Sequence, residues 1–341
     1  MRRIGLKKDG TILLGATVSC DGFSCEREIR VQTHIHSDHM VDFNTSKANQ
    51  TIVMSRPTRD LLCAIQNADL PYRDNILGIE YGKKHRMSGE TIVIQPSHHM
   101  LGGAQVQVTC ADGYRVGYSS DFFWPVEHPI EVDELIVDAT YGSPGTRREY
   151  HQSAIDEKLC VIAAQSLRAG RQLVVLGHSG RLQSAMTLLG ATVEAPIICG
   201  PTAHKPLDIY RAHGYPIPMA LRADTNEAIR ILRERRPCLA FATIHERRHL
   251  PWVDRMSKIT LSAWHTSTSD PTIDYGNGDY CLAYTDHADF DGTLQYIAAT
   301  GAQKVWTDPR TGNAEGLAIA VKQLLEIDAE VAPRIDSLAW G

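Results

Sequence analysis

The segment Thr33-His34-Ile35-His36-Ser37-Asp38-His39 constrains this chain more than any other. Three imidazoles and a carboxylate fall within six residues, directly after the strand-like run Ile29-Arg30-Val31. Packing has no use for that composition, because buried polar groups cost free energy unless something satisfies them. Side chains two apart on an extended segment share a face, so His34 and His36 can converge on one ion. Asp38 and His39 then follow on a turn and can reach a second ion beside it. Imidazole nitrogen and carboxylate oxygen suit Zn²⁺, with Mn²⁺ or Fe as substitutes. A fold built around this segment must bring further donors to it from distant parts of the chain.

Candidates for those donors end or interrupt strand-like runs. Gln95-Pro96-Ser97-His98-His99-Met100-Leu101-Gly102-Gly103-Ala104 offers an imidazole between the runs 91–94 and 104–108. Tyr118-Ser119-Ser120-Asp121 ends a strand with a carboxylate able to bridge two ions. Tyr284-Thr285-Asp286-His287-Ala288-Asp289 ends another with an imidazole, and Gly177-His178-Ser179-Gly180 supplies a competing late histidine.

Taken together these motifs resemble the metallo-β-lactamase superfamily. They are Asp21 in Cys20-Asp21-Gly22-Phe23, the cluster from His34 to His39, His99 before Leu-Gly, and Asp121 after Ser-Ser. The resemblance implies two divalent metal ions, zinc foremost. His34, His36 and His99 would hold one, while Asp38, His39 and a late histidine hold the other, with Asp121 bridging. His98 adjoins His99, and the Leu-Gly that follows favours His99. Asp21 would orient residues of the loop without binding metal. Leu135-Ile136-Val137-Asp138-Ala139-Thr140-Tyr141 is similar to the acidic-Thr-Tyr motif of the β-CASP nucleases, a branch that inserts a second domain before its final histidines. His287 then fits the late ligand and His265 the imidazole preceding it. Within that branch the chain most resembles DNA-ligase-associated exonucleases and Artemis-like nucleases. That likeness implies DNA cleavage from 5′ ends in repair, with a DNA ligase or helicase as partner.

The expected architecture is α/β, an αββα metallo-β-lactamase sandwich carrying an inserted parallel α/β domain. Residues 1–150 would form the first part of the sandwich, 151–250 the insert, and 251–341 the return segment. The insert is read from alternating strand and helix patterns, beginning with the apolar face Ile155, Leu159, Ile162 and continuing through a helix over 203–212. Where its first strand gives way to a helix, Ser179, Gly180 and Arg181 could clasp a terminal phosphate. For the chemistry, Asp38 is a candidate catalytic group at the metal centre, and His265 a candidate general acid oriented by Asp138.

A net charge of −5 is unusual for a protein that binds nucleic acid, but part of the acidity would sit at the metal site. Basic residues are local: Arg147-Arg148, Arg181, the run from Arg230 to Arg236, and Glu246-Arg247-Arg248-His249. Eight scattered cysteines without a Cys-x-x-Cys pair read as reduced thiols, and the first ten residues lack a signal-peptide pattern, so the expected location is cytoplasmic. No apolar run approaches the ~20 residues of a membrane span. Two other classes compete with the nuclease. A small-molecule hydrolase, of thioesterase or lactonase type, would use His178 as its late ligand. A non-catalytic scaffold would have lost ligands, whereas here every ligand position is filled.

Overall fold

The structure, a computed structural model, describes residues 3–66, 69–265 and 269–335. Its contacts divide the chain into two units, Met1–Arg147 with His287–Gly341, and Arg148–Asp286.

In the first unit the chain lays down β1 (Ile4–Lys7), β2 (Ile12–Leu14), β3 (Val18–Cys20), β4 (Ile29–Gln32), β5 (Thr51–Ser55) and β6 (Ile76–Ile79). Next come β7 (His85–Met87), β8 (Glu90–Pro96), β9 (Ala104–Thr109), β10 (Arg115–Tyr118) and β11 (Glu134–Val137). After the second unit it returns with β19 (Lys304–Thr307), β20 (Asp328–Val331) and β21 (Arg334–Ile335). These strands make two seven-stranded sheets, ordered β21-β1-β2-β3-β4-β5-β6 and β20-β19-β11-β10-β9-β8-β7. Leu6, Val31 and Val53 of the first share one buried cluster with Ile92, Val106 and Ile136 of the second. On β11 the neighbours of Ile136 point the other way. Leu135 and Val137 pack with Leu294 and Ile297 of α8 (Phe290–Thr300) and with Leu317 and Val321 of α9 (Ala314–Leu325). Successive side chains thus meet a sheet and then a helix, so the strand is apolar throughout. α1 (Phe43–Asn49) and α2 (Arg56–Ile65) pack on β5, and α2 also on β6, which gives the order helix, sheet, sheet, helix.

The second unit is a mostly parallel sheet with helices: α3 (Gln152–Arg168), β12 (Gln172–Gly177), α4 (Arg181–Thr192), β13 (Ile197–Cys199), α5 (Pro201–His204), α6 (Leu207–Ala212), β14 (Leu221–Arg222), α7 (Asn226–Arg233), β15 (Cys238–Thr243), β16 (Ser257–Leu261), β17 (Thr272–Gly276) and β18 (Asp279–Leu282). The strands are ordered β14-β13-β15-β12-β16-β18-β17, and only β17 runs antiparallel to its neighbour. Asn277-Gly278, at φ +54° and +84°, turns the β17–β18 hairpin, as a tight two-residue loop with positive φ requires. The unit runs to Asp286, past the expected boundary at residue 250, because β16 and β18 extend the same parallel sheet. The helix expected over 203–212 is broken into α5 and α6 around Lys205-Pro206, where proline cannot supply the backbone donor. Among the described residues no helix is long and apolar enough to cross a membrane.

Candidate metal centre

In the first unit, β3 and β4 run parallel, as do β10 and β11, and β8 shares the direction of β10 through their common antiparallel neighbour β9. The ends of these strands therefore open on one edge. Asp21 follows β3, His34 to His39 follow β4, His99 lies in the β8–β9 loop, Asp121 follows β10 and Asp138 follows β11. His287 arrives on the segment preceding α8.

Asp121 is the hub. Its Oδ2 lies 3.8 Å from His34 Nε2, 3.6 Å from His99 Nε2 and 3.9 Å from His287 Nε2, and its Oδ1 lies 3.4 Å from His39 Nε2. One donor atom from each of His34, His36, His99 and Asp121 lies within 4.8 Å of the others, and so do donors of Asp121, Asp138 and His287. Asp121 belongs to both groups, as a shared carboxylate must. His36 is half-buried, with Nδ1 3.0 Å from His99 Nε2. His98 stands apart: it is exposed and its Nδ1 faces the Pro125 carbonyl at 3.1 Å, so His99 is the histidine brought to the cluster. Asp38 sits on the rim, 67% exposed, with Oδ2 3.7 Å from His39 Nε2.

The donor set fits a divalent ion. His34 Nε2 is fully buried and has no hydrogen-bond partner among the described residues, an expensive state for a polar atom unless something binds it. Burial first, and then the charges of His39, His36 and His99, hold the His34 imidazole well below its ordinary pKa, so its lone pair is free for a ligand. Burial opposes a charge on His39 too, but Asp121 and Asp21 outweigh it and push its pKa well up. Burial would raise the Asp121 carboxyl, yet His39, His287 and His99 hold it well below the usual range.

Asp21 is tied to the loop through Thr33 and His39. It is fully buried, accepts from Thr33 N at 2.8 Å and Thr33 Oγ1 at 2.7 Å, and pairs with His39 Nδ1 at 2.7 Å, which turns His39 Nε2 toward Asp121. Asp21, His98 and Ser120 have φ of +58°, +57° and +53°, and such strain gathers at functional sites. Reading the sequence missed Arg30 and Gln32. Arg30, buried within β4, donates to the carbonyls of His39 at 3.1 Å and Val41 at 2.7 Å, and Gln32 Nε2 donates to those of His34 at 2.6 Å and His39 at 2.9 Å. An arginine inside an apolar strand was the available signal. Burial lowers its pKa to about 10, so it stays charged at neutral pH. The His99 loop is pinned by Ser55 Oγ and Thr58 Oγ1, which donate to the Gly102 carbonyl at 2.7 and 2.8 Å. A Cβ on Gly102 would lie 2.6 Å from Thr58 N, which is why glycine stands there.

Two expectations are corrected. Asp138 has another partner than the expected His265: its Oδ2 lies 3.0 Å from His287 Nδ1 and its Oδ1 takes Thr140, while His265 Nε2 meets the Asp270 carbonyl at 3.1 Å within the second unit. The Ser179-Gly180-Arg181 turn is not an open phosphate clasp. Arg181 is buried with Nε 3.1 Å from Asp286 Oδ1, the Gly180 N–H is capped by Gln183 Oε1 at 2.7 Å, and Ser179 is half-buried. His178 also lies in the second unit, its ring edge-on to His245 at 5.5 Å.

No family model matches the chain. An Acidianus ambivalens protein described as an uncharacterized protein in the lig 3′ region is 33% identical over 141 residues, 40% of this chain and 99% of that protein. This chain belongs to the family of that Acidianus protein. Transcription termination factor FttA of Methanocaldococcus jannaschii is 23% identical over 190 residues, 47% of this chain but only 30% of FttA. Among solved structures, a protein of unknown function from Enterococcus faecalis V583 shares the fold over 90% of this chain and 80% of its own, at TM-score 0.62 and 12% identity. A Cronobacter sakazakii metallo-β-lactamase matches 38% of this chain and 70% of its own at 15% identity and TM-score 0.30, too slight a likeness to build on.

Proposed function

We propose that this chain is a two-metal phosphodiesterase that cleaves nucleic acid and, within that class, a DNA exonuclease working from 5′ ends in repair. The observation that carries the hydrolase part is Asp121, one carboxylate shared between two groups of donors. His34, His36 and His99 would hold one ion, and His39, His287 and the rim carboxylate of Asp38 the other, with zinc best suited and manganese or iron as substitutes. Bound ions supply a water of lowered pKa and neutralise charge on the phosphoryl oxygens. The protein's own part is to aim the donors: Asp21 holds His39, and Asp138 holds His287, each through Nδ1.

Nucleic acid as substrate is supported by the β-CASP-like motifs and by the relative described as lying in the lig 3′ region. A DNA ligase or helicase partner and a cytoplasmic location belong to the same reading. The likeness to a transcription termination factor favours RNA as the alternative substrate. The small-molecule hydrolase loses its main support, because His287 and not His178 accompanies Asp121 in the first unit. Polarity rests on the motifs alone, since Arg181 is committed to Asp286. A proton-donor role for His265 would run without Asp138.

The deciding experiment digests end-labelled single- and double-stranded DNA and RNA, with 5′-phosphate or 5′-hydroxyl ends, in Zn²⁺ and Mn²⁺. The expected product is short fragments released progressively from DNA 5′ ends. Mid-chain cuts or exclusive RNA cleavage would overturn the finer assignment. Intact substrates beside turnover of a thioester or lactone would overturn the nuclease.

A further inference from the structure

The second unit holds a cavity of about 970 Å³ at the edge where its strands begin, beside Gln172 of β12 and Ser257 of β16. Arg171, Arg233, Arg235 and Arg255 line it, with Trp252 and Leu232 among its apolar walls, and no carboxylate does among the described residues. Elsewhere on this acidic chain several arginines are paired with carboxylates: Arg3 with Asp112, Arg56 with Glu80, Arg73 with Asp69, Arg222 with Asp224. None of the four around the cavity has a carboxylate partner among the described residues, and the nearby Asp254 is turned to Arg247. Four unneutralised guanidinium groups repel one another, an arrangement that an anion relieves.

Arg235 adds a separate observation. It follows α7 at φ +55°, and the chain closes behind it through Arg236 N to the Ile231 carbonyl at 3.1 Å and Arg235 N to the Leu232 carbonyl at 3.4 Å. That helix-ending motif favours glycine at the left-handed position. An arginine there keeps a strained backbone, and its side chain lines the cavity. Gln172 Nε2 fixes the same loop by donating to the carbonyls of Ile231 and Arg236, each at 3.1 Å.

We propose that this cavity binds nucleotide phosphate, with Arg171, Arg233, Arg235 and Arg255 on the phosphates and Trp252 against the base. Guanidinium forks match phosphate oxygens in bidentate geometry, and an indole offers a stacking face that a carboxylate-bearing peptide would not use. The volume lies in the range of small-molecule sites, ~300–1,000 Å³. A free nucleotide and a nucleotide unit of a longer strand share this chemistry. The site uses no residue of the metal centre, since every lining residue belongs to the second unit.

The test titrates the full-length chain with adenosine monophosphate, with inorganic pyrophosphate, and with a single-stranded phosphorothioate oligonucleotide that resists cleavage. Binding of the monophosphate identifies a free nucleotide as the source; binding of the oligonucleotide alone identifies a strand. The double variant Arg233→Gln/Arg255→Gln should weaken whichever binds by at least ~10-fold and flatten its salt dependence. Trp252→Leu should weaken the nucleotide or strand by ~10-fold and leave pyrophosphate unchanged. Arg235→Gly relieves the left-handed backbone, so it should preserve the melting temperature while weakening binding, which separates a lost contact from a lost fold. Absence of binding by monophosphate and oligonucleotide, dissociation constants within twofold of wild type in the variants, or equal affinity for a polyglutamate peptide would overturn the proposal.

Discussion

Asp21→Ala probes the support beneath the candidate metal centre, and its cost can be worked from the contacts. The substitution removes one acceptor of Gln32 Nε2, at 3.4 Å, which keeps the His34 and His39 carbonyls, and the acceptor of three closer donors: Thr33 N at 2.8 Å, Thr33 Oγ1 at 2.7 Å and His39 Nδ1 at 2.7 Å. In metal-free protein the Thr33 hydroxyl can turn to His34 Nδ1, 3.1 Å away. The other two close donors stay buried and unanswered, at about 1–3 kcal/mol each. The expected loss is thus about 4 kcal/mol, a large share of the ~5–15 kcal/mol that holds a typical domain. Hydrogen exchange of β3–β5 amides under chelating conditions reads the local opening free energy without interference from the second unit. Metal affinity, measured separately by competition with a chelator, should fall by ~10–100-fold as His39 loses its orienting partner. A loss under about 1 kcal/mol, or unchanged affinity, would refute the claim that Asp21 holds Thr33 and His39 in place.

Elemental analysis of the purified protein should find close to two transition-metal ions per chain, and Asp121→Ala should weaken both, since one carboxylate belongs to both donor groups. His287→Ala should lower metal content and abolish cleavage, whereas His178→Ala should leave metal content intact; the reverse pattern would return the chain to small-molecule hydrolases. Gly312→Ala should destabilise the first unit by more than ~4 kcal/mol, because Gly312 has φ +68° and a Cβ there would lie 1.9 Å from the Ala139 carbonyl oxygen. Thermal melting checks that last expectation, and a shift of only a few degrees would refute it.

The candidate metal motifs stand out in the sequence because their chemistry is local. An imidazole-rich run after a strand has few other uses, and Asp121 and His287 each end an apolar run. Helices were legible where one apolar face persists, as in α3 with Ile155, Leu159 and Ile162 buried. Pairings across long separations were not. Nothing near Arg181 in sequence announces Asp286, and nothing near Asp138 says that its partner is His287 and not His265. The boundary at residue 250 failed for a similar reason: β16 and β18 carry polar residues among apolar ones, and only their parallel pairing places them in the second sheet system.

The connectivity has a consequence for how the chain reaches its fold during synthesis. β11 pairs with β19, bringing Val137 opposite Thr307, and β1 pairs with β21, bringing Leu6 opposite Arg334. The second unit is one uninterrupted stretch, Arg148–Asp286, and can close on itself as it emerges from the ribosome. The first unit cannot, because β19 to β21, α8 and α9 are made only after the second unit. Until they arrive, Leu135 and Val137 face water and the edge of β11 lies open, a state that invites association with other chains. Closing so long a loop adds little to the final free energy, since each doubling costs only ~0.6 kcal/mol. The penalty falls on time: nascent chains spend their most exposed interval waiting for the segment that begins at His287, so translation stalls before it should be the conditions under which this protein most needs a chaperone.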